Sequence, residues 1–146
     1  MIFAIFLLNS LLLLLALINL VTIRKPSAAT VDESSILVLL PVRNEESNIS
    51  RILNELEAQI GTPNLQVLAI NDNSEDRTLE VSNSLTSERI SVMNAPQPEK
   101  GWLGKVSALQ AGLRASDKAE IVISIDADVH FEKDAIARAV RTLNES

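Results

Sequence analysis

The sequence predicts an α/β fold, a mostly parallel sheet with flanking helices, preceded by one transmembrane helix. Three observations predict it. Residues 1–23 carry no charged side chain. Beyond them, short apolar runs alternate with segments of helical periodicity, the pattern of βαβ units with right-handed crossovers. The polar clusters lie where an apolar run gives way to a loop. In open α/β sheets that rim, outside the carboxyl ends of the strands, is where ligands bind.

The elements follow in order. Met1 to Ile23 is dominated by Leu, Ile, Phe and Val, with Asn9, Ser10 and Asn19 as its strongly polar interruptions. At about 1.5 Å per residue it makes roughly 34 Å of helix, enough for a hydrocarbon core about 30 Å thick. Arg24 and Lys25 follow the run and no basic residue precedes it. That asymmetry predicts a single-pass anchor over residues 1–23 with the C-terminal side in the cytoplasm. A secretory signal peptide, the rival reading, wants its positive charge first and a shorter apolar run. Residues 24–35 read as a linker. Ile36-Leu37-Val38-Leu39-Leu40, apolar on both faces and ended by Pro41, predicts a central strand of a covered parallel sheet. Ile49, Ile52, Leu53, Leu56 and Ile60 mark one face of a helix stopped by Gly61 and Pro63.

Val67 to Ile70 predicts the second strand, with a short helix after it through Leu79 and Leu85. Ile90 to Met93 is a third, weaker strand. A loop holding Pro96, Pro98, Gly101 and Gly104 leads to a helix marked by Val106, Leu109 and Leu113. Ile121 to Ile125 is the fourth strand, and Ile136, Val140 and Leu143 mark the last helix.

Charge narrows the function. The 146 residues carry a net charge of −6, and all 19 acidic residues lie beyond Lys25. An acidic soluble part argues against a nucleic-acid surface, which needs a basic face. With no cysteine there is neither a disulfide framework nor a thiolate metal site.

Each polar cluster carries two readings. In Asp126-Ala127-Asp128, an extended chain would aim both carboxylates at one small volume. At close range both cannot stay ionised cheaply without a cation, and Mg²⁺ or Mn²⁺ suits such hard oxygen donors; the plainer alternative is a solvated turn or a helix-start cluster. Asn71-Asp72-Asn73-Ser74-Glu75-Asp76 is either loop and cap chemistry or a place where Asp72 accepts from a base N–H or a ribose hydroxyl. Glu45 and Glu46, near a helix start, either complement its dipole or face the ligand rim. Lys100-Gly101-Trp102-Leu103-Gly104-Lys105 is either a surface loop pinned by Trp102 or an anion site, with Lys105 at a helix start that favours a diphosphate. It lacks the spacing of a P-loop. His130, the single histidine, has many ordinary roles besides metal binding.

Four of these segments, in this order, resemble the family 2 glycosyltransferases with a GT-A fold. They are Pro41-Val42-Arg43-Asn44-Glu45-Glu46, Asn71 to Thr78, Lys100 to Lys105 with Ala108-Leu109 and Gly112, and Asp126-Ala127-Asp128. The match spans about residues 36 to 143. The resemblance implies a nucleotide-sugar donor, with residues 36–146 as the donor-binding half of a transferase domain. By it, Pro41 and Glu45 would line the nucleoside pocket and Asp72 would contact the base. Lys105 would lie near the base or diphosphate, Asp126 would face the ribose or sugar, and Asp128 would hold a divalent Mg or Mn ion. The family's usual outcome is inversion by one in-line displacement. The Gly-Trp-Leu-Gly-Lys form with an N-terminal anchor looks like the branch that glycosylates carotenoid- or hopanoid-type lipids, implying a lipid acceptor at the membrane.

Two departures follow from the same comparison. The family often has Asp where this chain has Asn71. Its second half, which supplies the acceptor site and the general base, has no counterpart after Asp128, and Glu132, Asp134 and Glu145 do not match that base. A missing C-terminal half or a partner chain is therefore expected, with marginal stability and exposed apolar surface where it would pack. The alternative function is a non-catalytic, membrane-tethered nucleotide-sugar-binding or assembly module. A phospho-receiver domain is disfavoured, since it wants its acidic pair after the first strand, where this chain has Pro41-Val42-Arg43.

Overall fold

The structure, a computed structural model, describes residues 2–22, 30–98, 101–116 and 119–145. Arg24 and Lys25 of the expected flank, Lys100 of the glycine-rich loop and residues 24–29 of the expected linker lie outside them. Helix α1 (Ile2–Thr22) includes an 18-residue window, Ile5–Thr22, of mean hydropathy 2.4, none of it buried against the rest of the chain. By length and composition it is able to cross a membrane. Residues 30–35 are tied down: Asp32 N–H donates to the Gly61 carbonyl (2.9 Å), and the Glu33 carbonyl accepts from Asn64 Nδ2 (2.6 Å).

The chain then alternates strictly: β1 (Ile36–Val42), α2 (Glu46–Glu57), β2 (Leu65–Asn71), α3 (Thr78–Ser84), β3 (Ile90–Asn94), α4 (Gly104–Ala115), β4 (Ile121–Ser124) and α5 (Ala135–Asn144). The four strands form one parallel sheet in the order β3-β2-β1-β4. Period-two alternation divides β1 between two cores. Ile36, Val38, Leu40 and Val42 join Ile49, Ile52, Leu53 and Leu56 of α2 and Ile136 and Val140 of α5. Leu37 and Leu39 face the other way, toward Leu68, Ile70, Ala95 and Ala108.

β1 runs two residues past its expected end, through Pro41. The Leu39 carbonyl accepts from Ile125 N–H on the β4 side, and the Val42 carbonyl accepts from Asp72 N–H on the β2 side. Alternation therefore turns the nitrogen of Pro41 toward β4, whose pairing has already stopped at Leu39↔Ser124. No ladder bond is lost there, so proline is tolerated.

Three helix faces differ from expectation. α2 ends at Glu57, so Ile60 lies outside it and is 59% exposed, while Gln59 takes the buried position. On α4, Val106 and Leu113 are exposed, and the packing face is Gly104, Ala108 and Gly112. A Cβ on Gly112 would collide with Ile70 Cδ1 and crowd Leu39, so the glycine sets how closely α4 approaches the sheet. On α5, Leu143 is exposed and Ala137 is buried instead. Beside these, Trp102, Leu103 and Val122 also leave apolar surface on the α4 side.

Candidate donor site

The β1–α2 and β2–α3 loops build one wall of a cleft by clasping each other. Asn44 and Asn73 both adopt left-handed backbone (φ 54° and 53°), which Asn tolerates better than most residues. Asn44 N–H donates to Ser74 Oγ (3.1 Å), and Asn44 Oδ1 accepts from Glu75 N–H (2.8 Å). Glu45 N–H donates to Thr78 Oγ1 (2.8 Å), and Thr78 donates in turn to Asp76 Oδ1 (2.5 Å). Asp76 also accepts from the Thr78 and Glu46 amides. The hydrogen bond from the Thr78 hydroxyl, with those amides, outweighs the cost of burial and holds the Asp76 carboxyl below its usual range. Much of the Asn71–Asp76 cluster is thus loop architecture. Asn71 itself does not line the cleft: Nδ2 donates to Asn94 Oδ1 (2.9 Å) and Oδ1 accepts from Ser74 N–H (3.2 Å). An aspartate could accept the second of these bonds but not donate the first.

Asp72 stands at the end of β2, 6% exposed. Its Oδ1 accepts from Asn73 Nδ2 (3.3 Å). Gly104 packs against the same carboxylate so closely that a Cβ there would overlap Oδ2. Glu45 is the N-cap residue of α2, and its Oε2 accepts from Asn48 Nδ2 (2.8 Å).

The opposite wall is more open. β4 ends at Ser124, Ile125 and Ala127 turn inward, and Asp126 and Asp128 face solvent. The chain is already turning at Ala127 and does not stay extended, yet both carboxylates reach the cleft. Lys105 Nζ donates to Asp126 Oδ1 at 2.5 Å, with both side chains more than half exposed. Among the described residues no side chain caps the N-terminus of α4, and its first amides face the direction in which an anion would be held.

Pro41, Glu45, Asp72, Lys105, Asp126 and Asp128, the six residues to which the family resemblance gave donor or metal roles, line one cleft of about 250 Å³ at the carboxyl ends of β1, β2 and β4. Val42, Arg43 and Ala127 complete it, and none of these was singled out. Arg43 sits in the same motif as Pro41 and Glu45, and among the described residues it makes no ion pair. A lone cation between the end of β1 and the start of α2 was the signal available for it. His130 lies elsewhere, with Nδ1 3.1 Å from Arg51 and 3.2 Å from Glu55.

Among the described residues no three His, Asp or Glu side chains group as a metal cage. Two carboxylates beside a phosphate-sized space fit Mg²⁺ or Mn²⁺ nonetheless. Such ions are commonly held by one or two carboxylates with substrate phosphates filling the remaining positions.

Comparison with known proteins decides the family. Residues 37–146 match Glycosyl transferase family 2. The chain belongs to that family. Among family 2 relatives, the 4,4'-diaponeurosporenoate glycosyltransferase of Staphylococcus haemolyticus is 30% identical over 108 residues, 73% of this chain. The probable glycosyltransferase YdaM of Bacillus subtilis is 32% identical over 101 residues, 68% of this chain. The chain spans only 27% and 24% of the lengths of those two relatives. The GT-A fold is seen in solved structures. The mannosyltransferase PcManGT of Pyrobaculum calidifontis, in complex with GDP-Man and Mn²⁺, has a TM-score of 0.66 at 22% identity, covering 84% of this chain and 36% of that one. S. aureus TarS 1-349 in complex with UDP-GlcNAc has a TM-score of 0.56, also at 22% identity, covering 76% of this chain and 31% of that one.

Proposed function

We propose that this chain is the donor-binding half of a membrane-anchored glycosyltransferase that moves a sugar from a nucleotide-sugar to a lipid acceptor. The observation that carries the reading is the convergence of six polar or strand-end residues on one cleft in a family 2 chain. Pro41 and Glu45 line the nucleoside side, and Asp72, held by Gly104 and Asn73, accepts from the base. Lys105, Arg43 and the first amides of α4 balance the diphosphate charge. Asp126 faces the ribose or sugar, and Asp128 holds a divalent Mg or Mn ion. When bound, that ion supplies Lewis-acid stabilisation of the charge developing on the departing diphosphate. The sugar inverts in a single displacement, with the acceptor's base supplied by sequence or a partner beyond these residues.

Residues 1–23 form a single-pass anchor, 24–35 the linker and 36–146 the cytoplasmic donor-binding half. The acceptor class is argued from the relatives named as acting on diaponeurosporenoate, a lipid-soluble acid. Isothermal titration of the detergent-solubilised chain with UDP and GDP, with and without Mn²⁺, tests the donor site. Saturable, Mn²⁺-dependent binding that weakens in Asp128→Ala is expected. Absence of binding by either nucleotide at millimolar concentration sinks the reading. Donor binding with neither transfer nor hydrolysis, even when acceptor is supplied, would favour a tethered binding module.

A further inference from the structure

The segment from Ala127 to Asp134 has no regular secondary structure, yet it carries Asp128 and follows Asp126 directly. Its backbone needs partners from elsewhere. They come from one stripe of α2 and the residues just past its end, spaced i, i+4, i+8. Arg51 donates to the Ala127 carbonyl through NH2 (3.0 Å) and to the Val129 carbonyl through NH1 (2.8 Å). Glu55 sits one turn on, accepting from Arg51 (3.2 Å) and from the Phe131 amide (2.8 Å). Gln59, a further turn on, donates to the Glu132 carbonyl (2.7 Å) and accepts from the Ile136 amide (3.1 Å). The upper two rungs are about three-quarters buried. Burial pushes the Glu55 carboxyl up, but the bonds from Phe131, Arg51 and His130 together outweigh it and leave the group below its usual range.

We infer that Arg51, seated by Glu55, is a positioning residue for the metal-binding turn: by gripping the carbonyls of Ala127 and Val129 it fixes the direction in which the Asp128 carboxylate leaves the backbone. The carbonyl of Ala127 belongs to the peptide bond that joins it to Asp128. That of Val129 belongs to the next peptide but one. A guanidinium spans both in its fixed fork, whereas an ammonium is a single point. Lysine at 51 therefore cannot reproduce the grip while also pairing with Glu55. Neither Arg51 nor Glu55 lines the cleft, so their effect on a ligand passes through the turn.

The inference rests on the donor-site reading above, and the test separates the two. UDP affinity of the detergent-solubilised chain is measured with and without Mn²⁺, and Mn²⁺ binding is followed by its electron paramagnetic resonance spectrum. Arg51→Ala, Arg51→Lys and Glu55→Gln are compared with Arg138→Ala, which removes ion pairs to Glu132 and Asp134 but touches neither gripped carbonyl. Loss of a partner that orients a metal ligand typically costs 10- to 100-fold. Arg51→Ala and Arg51→Lys are expected to weaken Mn²⁺-dependent UDP binding by roughly that factor. The metal-free UDP affinity and the Arg138→Ala variant stay unchanged. Glu55→Gln gives a smaller loss in the same direction. Should Arg51→Ala fail to fold, Arg51→Lys and Glu55→Gln carry the comparison. Wild-type binding that persists unaltered in both Arg51→Lys and Glu55→Gln overturns the positioning role and leaves the donor site standing. Equal losses with and without Mn²⁺ would reduce Arg51 to a general structural residue. No wild-type response to Mn²⁺ removes the metal-binding turn and this inference with it, while UDP binding that persists leaves the nucleotide pocket standing.

Discussion

The two walls of the cleft are built on different principles. One is a finished structure: Asp72 is nearly inaccessible, Gly104 presses on its carboxylate, and the Asn44 and Asn71–Thr78 loops satisfy one another's amides. The other presents Lys105, Asp126 and Asp128 to solvent, joined by one exposed ion pair and steadied from behind by Arg51. An exposed pair of this kind contributes little to stability, about 0–1 kcal/mol. The buried wall thus suits recognition of a fixed shape. The exposed one is rearranged cheaply when a charged ligand arrives, since Lys105 has only to exchange one anionic partner for another.

Breaking the exposed wall at Asp128, the carboxylate proposed to hold the metal, should give the largest effect on binding. Asp128→Ala should lower Mn²⁺-dependent UDP affinity by at least the roughly 10- to 100-fold that loss of a group orienting a metal ligand costs, with the thermal midpoint unmoved because the side chain is exposed. Calorimetry alongside titration checks both halves of that statement. Gly104→Ala attacks the buried wall and should do both kinds of damage. Overpacking costs typically about 1–3 kcal/mol, and the displaced Asp72 carboxylate weakens metal-free nucleotide binding as well. A stable variant with intact UDP affinity would contradict the close approach of α4.

Thr78→Val keeps the shape of a fully buried side chain but removes the acceptor for Glu45 N–H. A loss of about 1–3 kcal/mol in denaturant unfolding is expected, with a small loss of nucleotide affinity as the clasp loosens. Acid reads the same clasp. The Asp76 carboxyl is held below its unfolded value, so its stabilisation is full above the usual carboxylate pKa of about 4 and is lost as pH falls through the lower, folded value. Asp32, Glu55 and Glu80 shift in the same direction, so thermal stability should fall with pH on the acid side. In Asp76→Asn that acid limb should be shallower, and an unchanged limb would remove Asp76 from the explanation. The smallest effect belongs to Lys105→Met, whose unfolding free energy should move by less than about 1 kcal/mol while UDP binding drops.

Much of this was legible in the sequence, for reasons that differ by element. β1 declared itself because a strand covered on both faces has no polar alternation to hide it. Pro41, Asp72, Asp126 and Asp128 were legible because they stand at or just past strand ends, where parallel topology forces convergence, and Glu45 and Lys105 because they stand at the helix starts on the same rim. The helix faces were less legible. Ile60 and Leu143 continued a helical period past the point where the helix packs. On α4 the contact is made by Gly104, Ala108 and Gly112, whose contribution is the absence of bulk, while the more apolar Val106 and Leu113 face outward. The Arg51, Glu55 and Gln59 stripe was not legible at all. Its spacing is that of any solvated helix face, and its partners are backbone groups more than seventy residues away, which leave no mark on side-chain pattern.

β4 stands at the margin of the sheet, and its ladder with β1 engages alternate residues through Ile121 and Ile125. The main-chain groups of Val122 and Ser124 therefore project sideways, on a strand whose core sequence is Ile-Val-Ile with no lysine, proline or bulge to blunt it. Such a margin is adhesive. Residues 30–145 prepared by themselves should stay monodisperse when dilute and stick edge to edge when concentrated, and a lysine in place of Val122 should keep them apart.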